Sequence, residues 1–156
     1  MTSFLPYKNG YFYVELRVWL FGGNPTTPLY FKALLDTGAN GTSLPGSVKS
    51  LSPRKAQVTI SREDQLYATT GATFVLGPSG FVSHKPLGAP KPKDCPVFWA
   101  DVAVNGFNLV DMPPVFFHGD PTTHHAIIGR DILMSNGGLC FAPNGYQPHL
   151  CVEITY

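Results

Sequence analysis

The chain reads as an all-β protein, a barrel or sandwich of about eight to ten short strands with one short helix. Three observations lead there. The segment Tyr11–Leu20 alternates apolar and polar residues without a break. Sixteen glycines and fifteen prolines, about a fifth of the chain, are scattered rather than periodic, which marks many turns. Only residues 130–134 combine an apolar pattern with freedom from breakers before a glycine-rich stop, so a single helical segment is expected. At 156 residues the whole span 1–156 reads as one domain.

In Tyr11–Leu20, Phe12, Val14, Leu16, Val18 and Leu20 share one face, while Tyr13, Glu15, Arg17 and Trp19 share the other. Gly22-Gly23-Asn24-Pro25 is a turn, and Leu29–Leu35 returns as the second arm of a hairpin that runs into Asp36-Thr37-Gly38-Ala39-Asn40. Residues 57–60 and 65–68 read as extended, with Thr69-Thr70-Gly71 a hairpin tip and 73–76 the return strand. Residues 77–96 carry five prolines (78, 86, 90, 92 and 96) and read as a loop. Residues 98–104 and Phe107–Val110 form a hairpin about Asn105-Gly106, a turn pair that accepts positive φ. Strands follow at 115–117, at Ala126-Ile127-Ile128 ending on Gly129, and at 139–141 and 150–156.

Composition excludes several functions. Net charge is +1, and there is no basic stripe or aromatic stacking platform, so nucleic acid and anionic lipid are not expected partners. Apolar runs are too short for a bilayer-spanning helix, and residues 1–10 lack the pattern of a signal peptide. Charged residues make up 13% of the chain, about half the usual share, which hints at surface hidden against a second copy. Cys95, Cys140 and Cys151 are odd in number and lack close spacing. They read as free thiols in a reducing compartment such as the cytoplasm, with a Cys140–Cys151 bridge as the alternative. His118, His124 and His125 cluster within eight residues. Adjacent His124 and His125 point opposite ways on a strand with no Cys or Glu beside them, so they read as solvated loop residues and no metal is expected. Asp101 and Asp111 flank the Asn105-Gly106 turn without a Thr-Gly context and read as solvated, and Phe116-Phe117 reads as core, with a wall of the cleft as the alternative.

The chemistry concentrates at Leu34-Leu35-Asp36-Thr37-Gly38. Two leucines bury the approach, and a carboxylate at such a strand end needs hydrogen bonds. Thr37 supplies a hydroxyl, and Gly38 lets another backbone come close. A loop of this kind can hold one carboxylate beside another. Two carboxylates about 3 Å apart share a proton, so one serves as base and the other as acid. Asp-Thr-Gly alone also suits an Asp-capped turn. Its context is more telling: an apolar strand precedes it, Ala39 follows, and Ile127-Ile128-Gly129-Arg130-Asp131 lies some ninety residues downstream.

The segments Leu34-Leu35-Asp36-Thr37-Gly38-Ala39 and Ala126-Ile127-Ile128-Gly129-Arg130-Asp131-Ile132-Leu133 resemble those of the retropepsins, the single-domain aspartic proteases of retroviruses and their cellular and bacterial relatives. The resemblance implies a closed acid-protease β-barrel with one short α-helix, active as a homodimer with one Asp36 per subunit. It implies an aspartic endopeptidase that binds peptide or protein substrate under a flap and needs no cofactor. Within it, Asp36 is catalytic; Thr37, Gly38 and Arg130 support the loop, with Thr37 bonding across the dimer axis. Gly38, Ala39 and Asn40 lie along the substrate. The flap tip is expected at Thr70, Gly71 and Ala72, with Gly77-Pro78-Ser79-Gly80 as rival. Viral members commonly carry an aspartate where Asn40 stands, so Arg130 is expected to use another partner, Asp131 or a C-terminal carbonyl. A non-catalytic dimerisation or peptide-binding module is the alternative, and an unrelated small β-barrel binding protein a third reading.

Overall fold

The structure is a computed structural model, and it describes residues 2–4, 7–8, 11–21, 27–36, 38–85, 89–104, 107–110, 113–119, 123–133, 138–140 and 149–151. The first half contains strands β1 (Thr2–Phe4), β2 (Tyr7–Lys8), β3 (Tyr11–Leu20), β4 (Leu29–Leu35), β5 (Thr42–Leu44), β6 (Ser47–Ser52), β7 (Lys55–Ile60) and β8 (Ala72–Leu76). The second half adds β9 (Gly80–His84), β10 (Lys93–Val104), β11 (Phe107–Val110), β12 (Pro114–Phe117), β13 (Ala126–Ile128), helix α1 (Arg130–Leu133), β14 (Gly138–Cys140) and β15 (His149–Cys151).

Six strands close into a barrel in the order β10, β12, β5, β13, β4, β3 and back to β10. Closure removes the sheet edges that an open sheet would leave unpaired. The β3–β4 hairpin pairs antiparallel from Tyr13↔Leu34 to Val18↔Leu29, and β10 seals the other side of β3 from Ala100↔Leu20 to Val104↔Leu16. The alternation in β3 is the physical reason for this placement. Val14, Leu16, Val18 and Leu20 are buried, whereas Tyr13, Glu15, Arg17 and Trp19 lie on the partly exposed outer face. Fully buried Leu16, Val18, Phe31, Leu44, Phe98, Val102, Val115 and Ile128 fill the interior with Ile132 of α1. Each such side chain contributes roughly 1.5–3 kcal/mol of transfer free energy.

Two pairings are parallel, and they set the geometry of the site. β4 and β13 run side by side with Ala33↔Ala126, Leu34↔Ile127 and Leu35↔Ile128 in register. Parallel strands end at the same end of a sheet, so the loop after Leu35 and the turn after Ile128 emerge together. β5 and β12 are likewise parallel, from Thr42↔Val115 to Leu44↔Phe117, and bring Phe116 to the same region.

A second sheet, β6-β7-β8, packs on the barrel through Ala56, Val58, Ile60 and Leu76. A third joins the chain ends in the order β1-β15-β14, with Ser3↔Leu150 and Leu139↔Leu150 opposite one another. There Cys140 faces His149 in register and Cys151 faces Gly138.

Three expectations require correction. Residues 65–68 are not a strand: a 3-10 turn at Arg62–Asp64 leads into irregular chain, and β7 pairs directly with β8, Ile60 opposite Ala72. Residues 77–96 are not one loop, because β9 and the start of β10 lie within them as an antiparallel pair, Gly80↔Val97 to His84↔Lys93. Pro96 is tolerated there because β12 joins β10 only from Val97 onward, leaving one side of Pro96 an edge. Residues 47–52 form β6 although no strand is expected there; the segment is mostly exposed and held by its ladder with β7. The turns expected at 22–25, 105–106 and 136–138 fall wholly or mainly outside the described residues.

Candidate active site

Asp36 follows β4 directly. Its backbone N–H donates to the Ile128 carbonyl at 3.0 Å, which extends the β4–β13 pairing by one step. Its carboxylate accepts from the Gly38 N–H at 2.9 Å, and its carbonyl accepts from the Ala39 N–H at 3.2 Å. The residue is therefore fixed on both main chain and side chain within a tight turn. Thr37 lies outside the described residues.

The turn is braced from the β13–α1 junction. The Arg130 N–H donates to the Ala39 carbonyl at 2.8 Å, and an Arg130 guanidinium N–H donates to Asn40 Oδ1. The expectation that Arg130 turns away from Asn40 is thus corrected. An amide oxygen is a competent acceptor for a guanidinium, and Asp131 is engaged elsewhere. Asp131 accepts from the Thr42 hydroxyl at 2.7 Å, from the Thr42 N–H at 3.1 Å and from the Ile132 N–H at 2.9 Å. Thr42 is fully buried, and its hydroxyl oxygen also accepts from the Gly129 N–H at 3.2 Å. Gly129 must be glycine here. A Cβ would sit 2.5 Å from the Gly41 carbonyl oxygen and 2.9 Å from that of Ala39. The absent side chain is what lets the two loops touch.

Asp36 opens onto a cleft of about 520 Å³ whose lining includes Gly38, Ala39, Asn40, Phe116 and Ile127. The opposite wall comes from β9 and the residue after it: Val82, Ser83, His84 and Lys85. The His84 ring packs on Phe116 with centroids 5.0 Å apart, and burial lowers its pKa from the ordinary histidine value. The residues expected over the cleft are elsewhere. Thr70, Gly71 and Ala72 line a separate cavity of about 430 Å³ with Thr27, Tyr30, Tyr67 and Phe74. The reason is the β7–β8 ladder, which closes residues 61–71 into one connection, held against β4 where the Leu66 N–H donates to the Tyr30 carbonyl at 2.8 Å. The rival, Gly77-Pro78-Ser79-Gly80, is the root of the covering arm rather than its tip: the Ser79 N–H and hydroxyl both donate to the Val97 carbonyl, at 2.8 and 3.1 Å.

Sequence reasoning missed Val82, His84 and Lys85 as lining residues, while Phe116 is both buried and on the cleft. The signal for β9 was present in the alternation Phe81-Val82-Ser83-His84, in which Phe81 and Ser83 are exposed and Val82 and His84 half-buried. The flanking prolines masked it. Among the described residues no group of three or more His, Cys, Asp and Glu side chains is placed to hold a metal ion, and Asp36 is the one carboxylate on the cleft. Of the histidines expected to be solvated, His118 is instead buried, with Nε2 3.3 Å from the His125 carbonyl oxygen, whereas His124 is exposed and its Nδ1 meets Asp64 Oδ1 at 2.7 Å. Cys95 is a buried free thiol whose pKa burial pushes up. Asp101 is half-buried on β10 opposite Trp19, and Asp111 lies outside the described residues. No described helix is long and apolar enough to cross a membrane.

No protein-family model matches the chain, and no curated protein matches it. Among solved structures it is similar to a protein of unknown function (DUF785) from Legionella pneumophila. That likeness has 21% sequence identity and a TM-score of 0.48, and it covers 78% of this chain and 84% of the other.

Proposed function

We propose that the chain is one subunit of a retropepsin-type aspartic endopeptidase, in which Asp36 of two copies forms the catalytic dyad. The observation that carries this reading is Asp36 itself: a carboxylate fixed by hydrogen bonds at a strand end and lining a cleft of about 520 Å³. A lone carboxylate is chemically incomplete for this reaction, and a second copy supplies the other. With one proton between them, the ionised Asp36 removes a proton from water as the oxygen attacks the peptide carbonyl, while the protonated Asp36 donates to the carbonyl oxygen. Collapse of the tetrahedral intermediate then breaks the C–N bond, with the leaving nitrogen taking a proton from the dyad. The reaction uses no group beyond the two carboxylates and water.

The test is digestion of a peptide library between acidic and neutral pH, read by mass spectrometry, beside Asp36→Asn. The amide fills the same space but neither takes nor gives the proton, so cleavage is expected to vanish with fold and association retained. Retained cleavage by the purified variant refutes the assignment. The second reading is a peptide-binding module without catalysis, favoured by the fact that this chain offers one carboxylate to the cleft among its described residues. A wild-type protein that binds peptides and cuts none would establish it.

A further inference from the structure

The wall facing Asp36 differs in charge from the floor. The side chains of Val82 and His84 turn inward from β9, and Lys85 follows at the cleft rim. Neither ring nitrogen of His84 is engaged in a hydrogen bond among the described residues, and Lys85 forms no salt bridge with them. Phe116 buttresses the ring from one side, which costs it solvent and orients it. A half-buried imidazole with open nitrogens, next to an unpaired ammonium, is an arrangement that a carboxylate would complete. The floor offers no such partner, because Asp36 is committed to the Gly38 N–H and to the proposed dyad.

We infer that His84 and Lys85 form a subsite for an acidic side chain, aspartate or glutamate, of the peptide lying over Asp36. The inference rests on reading the cleft as a peptide site, and it adds which peptides that site prefers. The imidazole and ammonium donate to the two carboxylate oxygens, and the Phe116 face holds the imidazole in position. A glutamine side chain offers one oxygen and no charge, so it gains only a neutral hydrogen bond.

The preference depends on pH in a defined way. Among the described residues, the charged and titratable groups placed around His84 are Asp36 on the floor, Lys85 beside it and Lys93 opposite it on β10, while the Phe116 ring meets it from β12. At neutral pH His84 is uncharged, since burial favours its neutral form, and Lys85 acts alone. Because burial lowers its pKa, His84 gains its proton only at some pH below the ordinary histidine value of about 6.5, and there the preference for glutamate grows. It fades again near about 4.3, where glutamate itself becomes protonated.

The experiment uses Asp36→Asn so that binding is measured without turnover. Peptides of about ten residues, paired so that they differ only by Glu or Gln at one position, are titrated at pH 5.5 and pH 8 by fluorescence anisotropy. At one position the Glu peptide is expected to bind about five- to tenfold more tightly at pH 5.5, with a smaller ratio at pH 8. Adding Lys85→Gln, an exposed change that leaves packing untouched, lowers the ratio at both pH values. Adding His84→Gln removes the pH-dependent part. Equal Glu and Gln affinity at every position overturns the subsite, as does a ratio indifferent to both substitutions. The outcome separates from that of the peptidase reading: a wild-type protein that cuts nothing, while the variant still selects Glu over Gln, refutes catalysis and leaves the subsite standing.

Discussion

Thr42 carries more of the site than its size suggests. Its one hydroxyl donates to Asp131 and accepts from Gly129, so it ties β5 to the start of α1 and to the end of β13. Thr42→Val keeps the shape but leaves a buried N–H without an acceptor and a carboxylate short of a donor. A loss of about 2–3 kcal/mol is expected in urea unfolding. Gly129→Ala is expected to be worse, because the clash is with backbone that cannot swing aside; the variant should fold poorly and, if recovered, lose cleavage by displacing the Asp36 turn. Asp36, Gly129 and Arg130 were legible because motif spacing marked them. Thr42 was not, since its partner Asp131 stands 89 residues away and no local pattern advertises the contact. His125 makes a pH prediction at the same scale. Burial, then Lys32 and then His124 lower its pKa in the folded state. The unfolded chain therefore binds the proton more readily, so stability is full above about pH 6.5 and falls as pH drops toward the lower folded value. His125→Gln should flatten part of that slope in thermal unfolding followed between pH 5 and 8.

At the scale of elements, the covering arm is β9 with the first part of β10, and the residues first expected to cover the cleft belong to a different layer. Gly71→Val places a Cβ 3.1 Å from the Ile60 carbonyl, whereas Gly80 has nothing within 4 Å of such an atom. Gly71→Val should therefore lower stability, by about 1–3 kcal/mol, with little change in cleavage per folded molecule. Gly80→Val should leave stability nearly untouched. Melting curves beside active-site-normalised rates distinguish the two, and a catalytic loss confined to Gly71→Val would return that residue to the cleft. Strands β3 and β4 were readable to the residue because one face of each is core and the other is not. β6 was unreadable because Ser47–Ser52 buries almost nothing: its membership is decided by backbone pairing with β7, which leaves no apolar period. β9 was hidden for the opposite reason, a real alternation embedded among prolines.

For the whole molecule, closure of the six-strand barrel leaves edges only outside it, and the short terminal sheet is one place where they remain, along with the β6-β7-β8 sheet and β9. β15 is its middle strand, and β1 and β14 each pair on one side only among the described residues. If two copies form the dyad, their association should govern the rate: specific activity is expected to fall on dilution through the dimer dissociation constant, measured by sedimentation beside a cleavage assay. Deleting the residues after Pro148 removes β15 and strips β1 and β14 of their common partner. The truncated chain should lose both association and activity, and a tight, fully active truncated dimer would refute a role for the terminal sheet.

The arm over the cleft has a mechanical consequence. β9 pairs with β10 alone, and β10 passes without interruption from that pairing into the barrel wall. The two strands thus form a cantilever, clamped where Ser79 grips the Val97 carbonyl and resting on Phe116 through His84 near its other end. Its fulcrum falls at Pro96, which has no N–H to add to the ladder. If the proposed peptide enters by bending this arm, the bend falls at its root, and His84, five residues from that clamp, travels farther than Val82.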